Sequence, residues 1–166
     1  LSQPGLSQPG RIRPGRIQLG RIPRGSSLQG RPAHSLSRSP AHFPRRAGAH
    51  AGGGATLNNL PISASKADAI SMSLIGTGFS YLDDRRVVQA NRMSSLLPQV
   101  RDIRRYGSAA IDLAFVACGR LDAYFEEHLH SWDLVAGQII ATEAGAIVTN
   151  YAGAPVTPEQ VLATTP

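Results

Sequence analysis

The sequence has 166 residues, with 17 Lys and Arg against 11 Asp and Glu, which gives a net charge of +6. The charge is unevenly distributed, since residues 1–50 contain nine Arg and no acidic residue, whereas residues 51–166 carry a net charge of −3. The basic character therefore belongs to an N-terminal segment, and a uniformly basic domain is excluded.

The cysteine and apolar content indicate where the protein functions. A single cysteine, Cys118, excludes an intramolecular disulfide framework and is typical of a reducing compartment. We expect Cys118 to be a small buried hydrophobic residue, because it ends the apolar run 114–118. No run of about 18 apolar residues predicts a membrane span, and no signal peptide precedes the domain. A cytoplasmic protein is therefore predicted.

Residues 1–25 repeat every five positions, as LSQPG, LSQPG, RIRPG, RIQLG and RIPRG. A five-residue period matches neither a helix nor a strand, so the repeat forms no continuous apolar face. Its glycines and prolines also oppose regular structure. Residues 1–50 are therefore predicted to be a disordered tail, followed by a domain over residues 51–166.

Three interpretations of the tail remain open. Its arginines could neutralise the phosphates of a nucleic acid, although no aromatic residue is interleaved with them before Phe43. Arg- and Ser-rich, acid-poor segments are also typical of organelle targeting, although Pro and Gly oppose the amphipathic helix that targeting uses. The third interpretation is a misread frame or a wrongly joined gene model.

The predicted domain begins with a hairpin over residues 52–62, turning at Asn58 and Asn59, because Asn tolerates positive φ. The three glycines 52–54 resemble a phosphate-binding loop only superficially, since the Lys-Ser/Thr ending is missing. Further strands are predicted over residues 71–79, 100–105, 121–125, 146–149 and 161–164.

Three helices alternate with these strands. The first covers residues 84–97, is capped by Asp83 or Asp84, and ends at Pro98. One face of this helix is predicted to pack inward, through Val87, Ala90, Ser94 and Leu97. The second, over 109–118, is capped by Ser108, and the third, over 132–144, carries Asp133 in its first turn. This alternation predicts a layered α/β domain.

Three segments are candidates for a functional site at one edge of the sheet. Gly107, Ser108 and Ala109 begin a helix whose free N–H groups favour an anion or a ligand hydroxyl. Glu126 ends a strand, and Asp133 begins the next helix, where it is either a helix cap or a ligand-binding carboxylate. The ends of strands and helices at one edge of an α/β sheet are where ligands bind.

The same segments resemble the inositol monophosphatase family. The resemblance covers residues 51–166, and six sequence blocks carry it: GGATLN (53–58), GTGF (76–79), GSAA (107–110), DAYFE (122–126), WDLVAG (132–137) and EAG (143–145). It implies the C-terminal half of a layered αβαβα sandwich. It also implies Mg²⁺-dependent hydrolysis of a phosphate monoester, such as an inositol phosphate or a related sugar phosphate, and dimerisation of the intact protein.

By resemblance, Asp133 would bind the metal, Glu126 a substrate hydroxyl, and Gly107, Ser108 and Ala109 would line the substrate ring. The Asp-Pro-x-Asp-Gly-Thr motif, which supplies other metal carboxylates in the family, occurs nowhere in the sequence. We therefore expect a fragment that is inactive alone. The alternative is a non-catalytic interaction protein whose basic tail contacts nucleic acid or another acidic partner.

Overall fold

The computed structural model describes residues 46–166, which begin with a three-stranded antiparallel sheet. Its strands are β1 (Ala47–Ala49), β2 (Ala55–Leu57) and β3 (Leu60–Ile62). Asn58 and Asn59 have φ of 53° and 65°, so both adopt the left-handed conformation that a tight two-residue hairpin needs. The predicted hairpin is confirmed. Strand β1 lies within the segment 1–50 predicted to be disordered, so ordered structure begins before residue 51; residues 1–45 lie outside the described part.

A second sheet has five strands in the order β5-β4-β6-β8-β7. They are β4 (Leu74–Thr77), β5 (Asp102–Arg104), β6 (Ala123–Glu127), β7 (Ile147–Thr149) and β8 (Gln160–Thr164). Strand β4 runs parallel to both β5 and β6, while β8 is antiparallel to β6 and β7. The parallel strands therefore bring the carboxyl ends of β4, β5 and β6 to one edge.

Two helices, α2 (Ala109–Ala117) and α3 (Ser131–Glu143), pack against each other between the two sheets. Helix α2 contacts β4, β6 and β8, whereas α3 contacts β1, β2 and β7. Helix α2 is enclosed by α3 and the five-stranded sheet, which is why it is apolar around most of its surface, with seven of its nine residues buried. The layered α/β architecture predicted from the sequence is confirmed.

The core lies where these layers meet. Leu113 and Val116 of α2 are fully buried, as are Tyr124 of β6 and Val161 of β8. Gly137 of α3 is also buried, and it allows a close approach of the two helices. The core therefore depends on the contact between α2 and α3. Cys118 is half-buried against this core, less enclosed than predicted.

Helix α1 (Asp83–Leu96) differs from its prediction. Its predicted inward face is exposed, with Val87 at 62% and Leu97 at 55% exposure, and its buried residue is Gln89. The Gln89 Oε1 accepts the Ser80 N–H at 2.9 Å. The N-cap is Leu82, not an aspartate. The predicted face was wrong because periodicity identifies an apolar stripe but not the element that covers it.

The predicted strand over 71–79 is also shorter than expected. A single 3₁₀ turn occupies Ile70–Met72, and β4 follows it. No helix within residues 46–166 is long and apolar enough to cross a membrane.

Candidate functional site

The first segment of the site is the N-terminus of helix α2. Gly107 has a φ of +84°, a left-handed conformation that turns the chain from β5 into the helix. Ser108 is the N-cap residue, as predicted, but its hydroxyl makes no capping hydrogen bond. Its carbonyl accepts the Asp112 N–H at 2.9 Å. The N–H groups of the first turn therefore have no capping side chain and point out of the helix end.

The second segment is the end of strand β6, which carries Glu126. The Tyr124 hydroxyl donates to Glu126 Oε2 at 2.6 Å, and the side chain is half-buried. Across the sheet, Gly78 follows β4, and a Cβ at this position would collide with the Glu126 carboxylate. Glycine is therefore required here so that the glutamate can occupy its position.

The third segment is the first turn of helix α3. Asp133 is the third residue of the helix, and its Oδ2 accepts the His130 N–H at 3.1 Å. His130 is the N-cap residue, and Asp133 at the third helical position completes a capping box, so its first-turn position and its capping role are confirmed, although it is not the N-cap residue itself. Beside it, Trp132 is 77% exposed and stacks on the His130 ring at a centroid distance of 4.4 Å.

Electrostatics link the three segments. Burial raises the pKa of Glu126, and the Tyr124 hydrogen bond opposes this increase by stabilising the charged form. The positive charge of Arg105 also lowers the pKa of Glu126, whereas the negative charge of Asp133 raises it. Arg105 lies two residues before Gly107, so charges close to both other segments act on Glu126.

A metal site is not complete within this group. Residues 46–166 contain no cluster of three or more His, Cys, Asp or Glu side chains that could hold a metal ion. Residues 1–45 contain no Asp or Glu in their sequence. Magnesium takes about six oxygen ligands in near-octahedral geometry, several of them often water, so Asp133 alone does not fit a resident Mg²⁺ ion.

The glycine loop 52–54 has a different role from phosphate binding. The N–H groups of Gly52 and Gly54 donate to Glu143 Oε1 and Oε2 at 2.9 and 3.0 Å. These backbone donors lower the pKa of Glu143, the last residue of α3. The loop therefore binds a carboxylate of the same chain and fastens the three-stranded sheet to helix α3.

Asp112, which sequence analysis did not single out, lies near Glu126. It is fully buried in α2, and neither of its carboxylate oxygens has a hydrogen-bond partner among residues 46–166. Burial, and then the negative charge of Glu126, raise the pKa of Asp112 to about 7. One signal was available in the sequence, because Asp112 is the one charged residue in the apolar helix AAIDLAFVA.

Comparisons with known proteins agree with the resemblance. The model of the inositol monophosphatase family matches residues 28–165. An inositol-1-monophosphatase of Mycobacterium leprae is 55% identical over 84 residues, which are 51% of this chain and 29% of the relative. A protein of Xylella fastidiosa named Nus factor SuhB is 44% identical over 104 residues, covering 62% of this chain and 38% of the relative.

The fold is similar to that of solved structures. Mycobacterium tuberculosis SuhB matches with a TM-score of 0.64 and 44% identity, over 71% of this chain and 48% of that chain. The chain thus spans less than half the length of each of these relatives. The family match begins at residue 28, inside the segment predicted to be a tail.

Proposed function

We propose, since the chain belongs to the inositol monophosphatase family, that it forms the substrate-binding half of a phosphate monoester hydrolase. Its substrate would be an inositol phosphate or a related sugar phosphate. The observation that carries this proposal is the position of Glu126 at the end of β6, where the Tyr124 hydroxyl donates to its carboxylate at 2.6 Å and Gly78 at the end of β4 leaves room for it.

Each segment has a chemical task in this proposal. The carboxylate of Glu126 accepts a hydrogen bond from a hydroxyl of the substrate ring, while the Tyr124 hydroxyl holds its other side. The N–H groups of residues 107–109 face the same ring or its phosphate, because the start of a helix favours anions and hydroxyl oxygens. These groups bind and orient the substrate.

Asp133 is proposed as one ligand of a catalytic Mg²⁺ ion, since a carboxylate oxygen is the ligand that this ion prefers. The remaining ligands are not provided by residues 46–166, which contain no metal-binding cluster. We therefore expect this chain to bind the ring of its substrate without hydrolysing the phosphate ester.

Phosphate release from myo-inositol monophosphate tests this expectation. The purified chain with MgCl₂ should release no more phosphate than the Asp133→Asn variant, and Asp68→Asn, an exposed aspartate, serves as the matched charge control. Release that requires Mg²⁺ and disappears only in Asp133→Asn would overturn the proposed inactivity.

Binding of the ring is tested separately by calorimetry with myo-inositol monophosphate. Glu126→Gln keeps the shape of the side chain but removes the charge, and we expect it to weaken binding by about 1.5–3 kcal/mol, the range for a hydrogen bond to a charged group. Unchanged affinity in Glu126→Gln would contradict the role proposed for Glu126.

A second candidate function is a non-catalytic interaction role, favoured by two observations. One is the similarity to the protein named Nus factor SuhB. The other is the charge of +9 on residues 1–50. Binding of RNA should then weaken steeply with salt and be lost when residues 1–45 are removed. Equal binding with and without these residues would exclude this function.

A further inference from the structure

Asp112 is a carboxyl group in the core without a partner. Its side chain is fully buried, and neither oxygen has a hydrogen-bond partner among residues 46–166. Gly76 of β4 leaves room for it, because a Cβ at that position would lie 3.3 Å from Asp112 Oδ1 and 2.6 Å from Leu121 Cδ1. An unpaired buried charge is costly, so such a group keeps its proton.

Glu126, the neighbouring carboxyl, has a different environment. Burial raises the pKa of Glu126, but the hydrogen bond from the Tyr124 hydroxyl at 2.6 Å and the positive charge of Arg105 both favour its ionised form. Asp112 has no equivalent donor within residues 46–166. When two carboxyl groups lie close together and only one of them receives hydrogen bonds, they do not ionise at the same pH. The group with the hydrogen-bond donors and the better solvation ionises first.

The helices and strands within residues 46–166 that pack around Asp112 contribute no positively charged side chain that would stabilise its ionised form. Strands β4 and β8 contain no titratable side chain, and α2 contains none besides Asp112. Strand β6 contributes Tyr124, Glu126 and Glu127, while α3 contributes Asp133 and Glu143. All of these groups are acidic. Among them, Glu126 raises the pKa of Asp112 through its negative charge, in addition to the larger effect of burial.

We propose that Asp112 is a positioning residue for Glu126. The neutral carboxyl of Asp112 leaves the single negative charge of the two groups on Glu126, which faces the substrate. An ionised Asp112 would repel that charge and favour a protonated Glu126, which accepts hydroxyl hydrogen bonds less well. The inference rests on the proposed function of Glu126 and assigns a task to a residue that would not touch the substrate.

The pKa of Asp112 is raised to about 7, so its carboxyl stays neutral at pH values below about 7. Because the folded-state pKa lies above the ordinary value of 3.8, the neutral carboxyl stabilises the fold fully below about pH 4. This contribution is lost as the pH rises through about 7. The stability of the fold should therefore decrease between these values, and Asp112→Asn, which does not titrate, should lack that decrease.

Carboxyl ¹³C NMR of the full chain tests the proposal without any substrate. The Asp112 and Glu126 signals are assigned through their backbone connections, so the assignment does not depend on a variant that folds. At pH 6 we expect Asp112 to be protonated and Glu126 to be ionised. Any other distribution of protons over the pair at pH 6 would overturn the proposal.

Thermal unfolding of Asp112→Asn at pH 5 and pH 8 gives a second measurement, with Asp68→Asn as the exposed control. We expect the midpoint of Asp112→Asn, relative to the parent, to rise by at least about 5 °C from pH 5 to pH 8. The control should show no such rise. An equal difference between Asp112→Asn and the parent at both pH values would contradict a neutral Asp112.

These results are independent of the ligand. If Glu126→Gln leaves myo-inositol monophosphate binding unchanged while the NMR signals show the expected protons, the proposed function fails and the assignment of the proton to Asp112 stands. If binding depends on Glu126 but Asp112 is ionised at pH 6, the proposed function stands and the positioning role fails.

Discussion

Helices α2 and α1 show how differently the same kind of sequence pattern is used in this chain. Both contain apolar residues at helical spacing, yet seven of the nine residues of α2 are buried, compared with only Gln89 in α1. Helix α2 lies between the five-stranded sheet and helix α3, whereas Val87 and Ala90 of α1 line an open groove. Burial therefore depends on which elements flank a helix, and periodicity alone does not determine it.

The strongest way to test this contrast is to remove a side chain from the α2–α3 interface. Leu113 is fully buried, so Leu113→Ala should lower the free energy of unfolding by about 2–5 kcal/mol through lost contacts and the remaining cavity. Urea unfolding measures this loss. A decrease below about 1 kcal/mol would mean that the helix pair is not packed as described.

Adding a methyl group at the same interface should have the next largest effect. A Cβ on Gly137 would lie 2.7 Å from Leu113 Cδ1 and 2.8 Å from Leu113 Cβ, and the latter atom cannot rotate away. Gly137→Ala should therefore destabilise the fold by about 1–3 kcal/mol, despite the better helix propensity of Ala. Ala136→Ser, at an exposed neighbouring position, is the control and should change stability by less than about 0.5 kcal/mol. A neutral or stabilising Gly137→Ala would show that the helices are further apart.

The smallest effect is expected on helix α1. Val87 is 62% exposed, so Val87→Ala should change the free energy of unfolding by no more than about 0.5 kcal/mol. The same urea titration used for Leu113→Ala provides the direct comparison. A loss close to that of Leu113→Ala would mean that the predicted inward face of α1 is covered after all.

Local sequence signals were sufficient for much of the fold. Asn58 and Asn59 predicted the hairpin, and the helix predicted over 132–144 is α3 (Ser131–Glu143), shifted by one residue at each end. These features depend on a few adjacent residues. The N-cap position of His130 in α3 was not predicted, because His is an uncommon N-cap residue. Asp133 was the stronger signal for the start of this helix.

Contacts between distant residues were beyond sequence reasoning. The bond from Gly52 to Glu143 joins residues 91 positions apart, and no local pattern indicates it. The electrostatic effect of Glu126 on Asp112 also depends on the packing of α2 against β6. For the candidate site, the order of the three segments was predicted from motifs, whereas the absence of a hydrogen-bond partner for the buried Asp112 carboxyl within residues 46–166 is seen only in the folded structure.

We propose above all that Asp133 is one carboxylate of a metal site that residues 46–166 do not complete. Calorimetric titration of Mg²⁺ into the full chain tests it most directly, with Asp133→Asn as the comparison. We predict no saturable binding at millimolar Mg²⁺ and no difference between the two proteins. Saturable binding that is lost in Asp133→Asn would contradict the account.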